Sequence, residues 1–453
     1  FMFTIDNQMY LDMDFYVDQQ TLDDLNIFGK YKDDDSVFHL FSKTRSYLGK
    51  KKMEQLFLHP LINLNEINDR SRFIYCLGNI DEISLEYEDL DFIEYYLSLQ
   101  PLPTRISYYD AIRRHLHNCF FNDNPYYIIR RGIVLLIENL YKLSKFVEQL
   151  SQQKDNPIIT KYQQEIENTF KNEYLQGVLV FKKRKKLSLF DYTKLDFVFR
   201  YIARDKVRRL MDIIYELDAF TTAAMVAKKK CWVYATAISE PCEIKIDGLY
   251  HPLLMSPVSN DIEIEANKNI VFITGANMAG KSTFMKAFGI AVYLAHMGFP
   301  VPASFMKFVP QQGIVSTINI SDNLRLGYSH FYSEVKRIKQ VVLQLNIRPN
   351  LMMLFDELFR GTNVKDAYDA TVSVLGALAR SRKCFVIVST HIIEAAQEIE
   401  KICNNVQFLC FHTQLNGDEM SYSYRLNRGI SNDRLGMVVI RREQILEIIE
   451  NKI

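Results

Sequence analysis

The sequence predicts two regions of different class in one chain: a helical region over residues 1–230, then an α/β region over 231–453 with a mostly parallel sheet. Three observations predict it. Upstream of residue 230 glycine is scarce, and apolar residues recur at three- and four-residue steps over long stretches. Downstream, short and wholly apolar runs alternate with helical patterns, as strands covered on both faces do. Three of those runs end in residues suited to phosphate chemistry, at the carboxyl ends of strands where open α/β sheets bind ligands.

The helical elements follow in order. Tyr47, Lys51, Gln55 and Leu58 begin a helix that Pro60 ends, and Asn65, Asp69 and Phe73 lie on the next. Residues 128–150 read as a long amphipathic helix with Ile129, Ile133, Leu136, Leu140, Leu143 and Val147 on one face. Asn156-Pro157 interrupts the pattern, and a second helix is expected from Ile158 to Leu175. A third, from Tyr192 to Lys228, buries Val207, Leu210, Met211, Ile214 and Leu217. Helices of this length suit levers or a scaffold. In the α/β region, Val406 to Leu415 and Met420 to Leu426 flank Asn416-Gly417, a hairpin signal.

The 453 residues leave room for two or three domains. A hydrophobic content of 48% with 24% charged residues describes an ordinary globular chain, and a net charge of +1 makes any electrostatic footprint local. The seven cysteines form no Cys-x-x-Cys pair and leave an odd one over, which fits a reducing cytosol. His115 and His117 have no acidic or cysteine partner at ligand spacing. No apolar run reaches spanning length and no basic, then apolar, leader opens the chain, so a cytoplasmic protein without membrane segments is expected.

The strongest motif is the run Ile270–Ile273 followed by Thr274-Gly275-Ala276-Asn277-Met278-Ala279-Gly280-Lys281-Ser282-Thr283. Gly275 and Gly280 let successive backbone N–H groups curl around a phosphate. Lys281 brings a charge to the β- and γ-phosphates, Ser282 offers a hydroxyl to Mg²⁺, and the helix from Lys281 to about Tyr293 aims its positive end at the same place. A second apolar run, Leu351 to Phe355, ends in Asp356-Glu357, suited to holding Mg²⁺ through water and to orienting the attacking water. A third, Cys384 to Val388, leads through Ser389-Thr390 to His391, placed to sense the γ-phosphate. Nucleoside triphosphate hydrolysis is the reading these residues support together.

Two charged stretches remain. Asp81 to Glu94 carries seven acidic residues and no basic one, most simply a solvated helix face. Lys182-Lys183-Arg184-Lys185-Lys186, with Arg200, Arg204 and Arg208 at four-residue steps, suits either a phosphate-contacting tip or a solvated loop.

The loop from Thr274 to Thr283 closely resembles the T-G-P-N-M-x-G-K-S-T nucleotide loop of the MutS family of DNA mismatch-repair ATPases. Asp356-Glu357-Leu358-Phe359-Arg360-Gly361-Thr362-Asn363 is similar to that family's D-E-L-G-R-G-T-S, Thr390-His391 to its T-H, and Ser329-His330-Phe331 with Glu334 to its S-T-F-x-x-E. His251-Pro252, Asn260-Asp261 and Val301-Pro302-Ala303 follow the pattern too, and Thr21-Leu22 with Leu25 resembles the helical core upstream. The resemblance implies a P-loop, ABC-like ATPase domain with ATP and Mg²⁺ as cofactors. It also implies a homodimer in which Ser329 reaches the γ-phosphate bound by the partner, joined by a C-terminal helix after Leu435-Gly436-Met437.

The departures from the family shape the rest. No Phe-x-Glu wedge stands near the N-terminus, so no mismatch reading is expected, as in short MutS-like paralogues. Only residues 176–194 are available for a clamp, expected as a minimal basic hairpin with strands Val178–Phe181 and Leu187–Phe190. Phe359 stands where the family has glycine, His330 where it has threonine, and Pro257 where an aromatic often stacks on adenine. The favoured expectation is an ATP-gated dimeric clamp on double-stranded or branched DNA, contacted through Lys182, Lys183, Arg184, Lys185, Lys186, Arg200 and Arg204. The alternatives are a regulatory ATPase switch whose levers grip a protein, and a paralogue that binds ATP without turnover.

Overall fold

The computed structural model describes residues 14–29, 35–80, 87–100, 103, 109, 112, 124–152, 156–183, 187–241, 243–318, 330–416, 419–431 and 448. Helices come first: α1 (Gln19–Asp24), α2 (Val37–Phe41), α3 (Tyr47–Leu58), α4 (Leu64–Gly78), α5 (Tyr87–Ser98), α6 (Asn124–Ser151), α7 (Pro157–Phe170), α8 (Leu189–Phe197) and α9 (Arg204–Lys230). The mixed region follows with β1 (Val233–Tyr234), β2 (Thr236–Ala237), β3 (Glu243–Leu249), β4 (Asn260–Glu265), β5 (Ile270–Gly275) and α10 (Lys281–His296). After these come β6 (Pro300–Val301), β7 (Phe305–Phe308), β8 (Gly313–Thr317), α11 (His330–Ile347), β9 (Leu351–Asp356) and α12 (Val364–Leu378). The chain closes with β10 (Phe385–Ser389), α13 (Ile393–Ile402), β11 (Val406–Asn416) and β12 (Glu419–Arg428). Among the described residues no helix is long and apolar enough to cross a membrane.

Packing divides the chain into two units. One takes Phe1–Leu40, His59–Asn68 and Lys229–Ile453, the other Phe41–Leu58 and Asp69–Lys228. The first is therefore not bounded by a single cut near residue 230. Tyr16 extends the edge of β8, with its N–H on Gln312 O at 2.9 Å and its carbonyl accepting from Ile314 N at 2.9 Å. Leu61 lies on the end of α10, where its N–H reaches His296 O at 2.8 Å.

In the α/β unit a six-stranded sheet runs in the order β12-β11-β5-β10-β9-β8, all neighbours parallel except the β11–β12 hairpin. Strands β9 and β10 are buried at every position, which is why their sequences are continuously apolar. The hairpin forms around Asn416 as expected, with Asn416 opposite Glu419. A second sheet, in the order β2-β7-β3-β4, stands beside it in sequence.

The second unit is helical throughout its described residues. Its core centres on Phe73, whose ring meets Phe220 edge-on at 5.5 Å and Tyr162 at 5.8 Å. Buried Asp218 accepts from Arg45 N and Ser46 N, both at 2.9 Å, and from Ser46 Oγ at 2.8 Å, tying α9 to the approach of α3. Gly132 on α6 admits Tyr96: a Cβ there would stand 2.3 Å from the ring.

Two expectations for this unit fail. The described residues of 176–194 form no hairpin. Val178–Lys183 is a 3₁₀ turn and Leu189–Phe197 is helix. The reason is local: Ser188 and Asp191 make a reciprocal capping box that starts α8 where a strand was expected. The helix expected from Tyr192 to Lys228 forms as α8 and α9 with a π turn over Val198–Ile202 between them. The acidic stretch is not simply solvated, since Glu94 accepts from Tyr215 Oη at 2.8 Å; residues 81–86 lie outside the described residues.

Candidate nucleotide site

The three apolar runs become neighbours because β5, β10 and β9 are adjacent and parallel, with Ile273 opposite Ser389 and Ser389 opposite Asp356. Their carboxyl ends open on a cavity of about 740 Å³ lined by Asn277, Met278, Gly280, Lys281, Ser282, Thr283, Glu357 and Arg360, among others. The remaining loop residues, Gly275, Ala276 and Ala279, form its turn, closed by Ala279 N on Ala276 O at 3.3 Å. Gly275 and Gly280 have φ of 145° and 105°, backbone that a side chain opposes. A Cβ at Gly275 would also stand 2.8 Å from Phe411 O. The loop is thus a cradle that only glycine at these two positions permits.

Lys281 is 4% exposed. Its ammonium donates to Gly275 O at 2.8 Å and Ala276 O at 3.0 Å, so it sits curled at the mouth of the loop. Burial lowers its pKa, and the Glu357 and Asp356 charges oppose that shift. Asp356 is buried and accepts a hydrogen bond from Ser389 Oγ. Glu357 N donates to Ser389 O at 3.0 Å, and the Glu357 carboxylate lies 2.9 Å from Arg360 Nε and 3.8 Å from exposed His391 Nδ1. Ser282 and Asp356 offer one hydroxyl and one carboxylate, hard oxygen ligands of the kind and number Mg²⁺ takes beside phosphate and water. Among the described residues no cluster of His, Cys, Asp and Glu would hold a metal by itself.

Sequence reasoning missed several residues here. Arg360 bridges both carboxylates, with Asp356 Oδ2 at 3.6 Å. Tyr424, on β12, lines the cavity with Pro257, Val258 and Leu254, and its ring is what a Cβ on Gly280 would touch at 3.2 Å. The alternation Tyr422, Tyr424 was the available signal. What it could not show is the irregularity between Phe411 and Thr413 on the partner strand, or the φ of 52° at Tyr424. His251 also lines the cavity, and burial pushes its pKa down to about 4. Phe359 adopts φ of 64°, glycine-like backbone, yet its ring is buried against Phe331 at 5.9 Å.

Of the residues assigned to DNA, Arg200 faces the protein interior. Arg200 is 3% exposed and locked to Asp196, through Nε at 2.6 Å and Nη2 at 2.7 Å, with Nη1 on Leu99 O at 3.0 Å. Asp196 lies one helical turn before Arg200, so the guanidinium turns inward, and its assignment to phosphate contact is withdrawn. Lys182 is exposed but paired with Glu138, and Arg204 is half-buried. Lys183 lies in the 3₁₀ turn. Arg184, Lys185, Lys186, Ser329 and, after Leu435, all residues but Ile448 lie outside the described residues.

Comparison with known proteins agrees with this geometry. The MutS domain V family matches residues 271–452. MutS protein homolog 4 of Mus musculus is 31% identical over 196 residues, 41% of this chain and 20% of that protein. DNA mismatch repair protein MutS of Petrotoga mobilis is 28% identical over 251 residues, 54% of this chain and 30% of that protein, and its counterpart in Persephonella marina is 29% identical over 256 residues, 54% and 28%. The chain thus spans about a fifth to a third of the curated relatives it matches. Residues 271–452 thus belong to the MutS domain V family, and within them the nucleotide loop and Glu357 meet at one cavity with Asp356 beside it.

Proposed function

We propose that this chain binds ATP with Mg²⁺ and hydrolyses it. The observation that carries the reading is the convergence of Lys281, Ser282 and Glu357 on one cavity, with buried Asp356 beside it. Lys281 leaves the loop carbonyls for the β- and γ-phosphates, and the loop N–H groups hold the rest of the triphosphate. Ser282 and Asp356 would hold Mg²⁺, which when bound neutralises the phosphate oxygens. Glu357 orients the attacking water and takes its proton, while His391 beside it senses the γ-phosphate. Tyr424 and Pro257 form the walls available to the base. By family resemblance two copies join, and Ser329 of each completes the other's site. Lys281→Ala tests the reading: ATP binding should fall by more than about a hundredfold, because the cradle loses its charge-assisted contact to the phosphates. Binding at the wild-type level would remove Lys281 from the site.

The helical unit is proposed to couple the nucleotide state to DNA in repair or recombination. Contacts to phosphate carry no sequence information, so homoduplex and mismatch should bind alike. One observation favours a second reading. Arg200 is buried and Lys182 is already paired, which suits helices that grip a protein. A salt series on homoduplex, mismatched and branched DNA separates the two, since phosphate contacts give affinity that falls steeply with salt. No duplex binding at about 50 mM salt would favour the protein partner.

A further inference from the structure

Helix α1 is short and precedes every motif of the nucleotide site, yet its polar groups are spent on the α/β unit. Asp18 caps it, accepting from Thr21 N at 2.9 Å and Thr21 Oγ1 at 2.6 Å. The same carboxylate takes the fork of Arg337 on α11, through Nη1 and through Nη2 at 3.1 Å. Arg337 Nη2 also donates to Ser316 O at 2.7 Å. From the other end of the helix, Asp24 Oδ2 accepts from Ser316 Oγ at 2.6 Å and Ile318 N at 2.9 Å, and Ser316 N donates to Thr21 Oγ1 at 2.9 Å. Asp18, Thr21 and Asp24 therefore fix the end of β8 and the orientation of α11 together.

What α11 then holds is the loop after β9. Glu334 lies three residues before Arg337, on the same helical face. It is buried and accepts the backbone N–H of Arg360 at 3.2 Å. Phe331, three residues before Glu334 and on the same helix, packs on Phe359. The loop so gripped carries two non-glycine residues in left-handed backbone, Glu357 at φ 52° and Phe359 at φ 64°. Such conformations persist only where the surroundings over-determine them. Arg360, fixed by its backbone, presents its side chain to Glu357 at 2.9 Å.

We propose that the segment Asp18–Asp24 is a brace that positions the Glu357 carboxylate through α11, making Asp18 and Arg337 positioning residues for ATP turnover. The proposal rests on the hydrolysis reading above for its consequence, though not for its geometry. It assigns to the N-terminal segment a role in the chemistry of a site whose motifs begin more than two hundred residues later.

Asp18→Asn in the full chain tests it, because the charge facing Arg337 is lost and the side chain keeps its size. Amide hydrogen exchange at Arg360 should quicken on the order of tenfold, the scale set by one charge-assisted hydrogen bond, while Val271 to Ile273 on β5 keep their protection. Turnover of ATP should fall by a similar factor with KM and ADP affinity unchanged, and Asp18→Glu should restore part of it. Unchanged exchange at Arg360 would overturn the proposal. An equal loss of ADP affinity would overturn it too, since the whole cradle would then have been damaged. If Asp18→Asn fails to fold, Arg337→Gln asks the same question from the other side of the ion pair, with the same exchange readout. Failure of the hydrolysis reading is distinguishable: wild-type protein would show no turnover that Lys281→Ala removes, while exchange at Arg360 still judges the brace.

Discussion

Lys281 and Arg200 are both cations in motifs that the sequence marks, and both are buried, but for opposite purposes. Lys281 is curled back on its own loop carbonyls beside a cavity, with carboxylates near enough to affect its ionisation. Arg200 has every contact it needs: a bidentate carboxylate one turn back, the Leu99 carbonyl and the face of Tyr96 at 5.6 Å. A buried cation whose partners are backbone carbonyls at the lip of a pocket is available to a ligand. One forked onto a buried carboxylate is part of the core. Charge in the sequence marked both residues, and of the two only Lys281 is placed to receive a ligand.

The largest effect that would break this contrast lies at Glu357. Glu357→Ala should still bind ATP while turnover drops by about 10²–10⁴, the usual contribution of a positioned general base. Hydrolysis at the wild-type rate would take Glu357 out of the mechanism and leave the pocket no better supported than the basic run. Arg200→Ala should next unfold the helical unit more readily by about 3–5 kcal/mol, because Asp196 is left buried and unpaired. Urea titration followed by circular dichroism measures it. A loss under about 1 kcal/mol, together with weaker DNA binding, would restore Arg200 as a surface contact.

The smallest effect separates the units by pH. His296 is fully buried, its Nδ1 on Leu61 O at 2.8 Å and its Nε2 accepting from Gln311 N at 3.2 Å, and burial holds its pKa down to about 4. In the unfolded chain its pKa returns to 6.5. The folded state then binds fewer protons between those values, so the stability it contributes is complete above pH 6.5 and is lost as pH falls toward 4. The slope is about 1.4 kcal/mol per pH unit. His251 adds loss of the same sign at the cavity wall. Thermal melts at pH 7.5 and 5.5, read by hydrogen exchange in α10 and in α6, should show α10 softening first. Equal softening of both helices would remove the histidines as the cause.

Much of the α/β unit was legible because its information is local. Strands β5, β9 and β10 are covered on both faces, so their sequences had to be continuously apolar. Gly275 and Gly280 had to be glycine for the loop to close. The hairpin around Asn416 needed only its turn. The helical unit was less legible for a physical reason as well: the period reports that a stretch is helical, not which carboxylate a cation will find. Lys182, Arg200 and Arg204 share one sequence signature and meet three environments. The strands expected at Val178–Phe181 and Leu187–Phe190 lost to the Ser188–Asp191 capping box, two residues that outweigh a short apolar alternation.

By itself, then, the sequence determined the order of classes, the phosphate-cradling loop, the paired carboxylates and the family they resemble, because each depends on residues within a few positions of one another. Tertiary structure alone decided what joins distant segments. It placed Tyr424 on the cavity wall and turned Arg360 across both carboxylates. It buried His296 against Leu61 and set Asp18 against Arg337. Contacts between residues hundreds of positions apart leave no periodicity behind, since each partner alone is only a polar residue in an otherwise ordinary element.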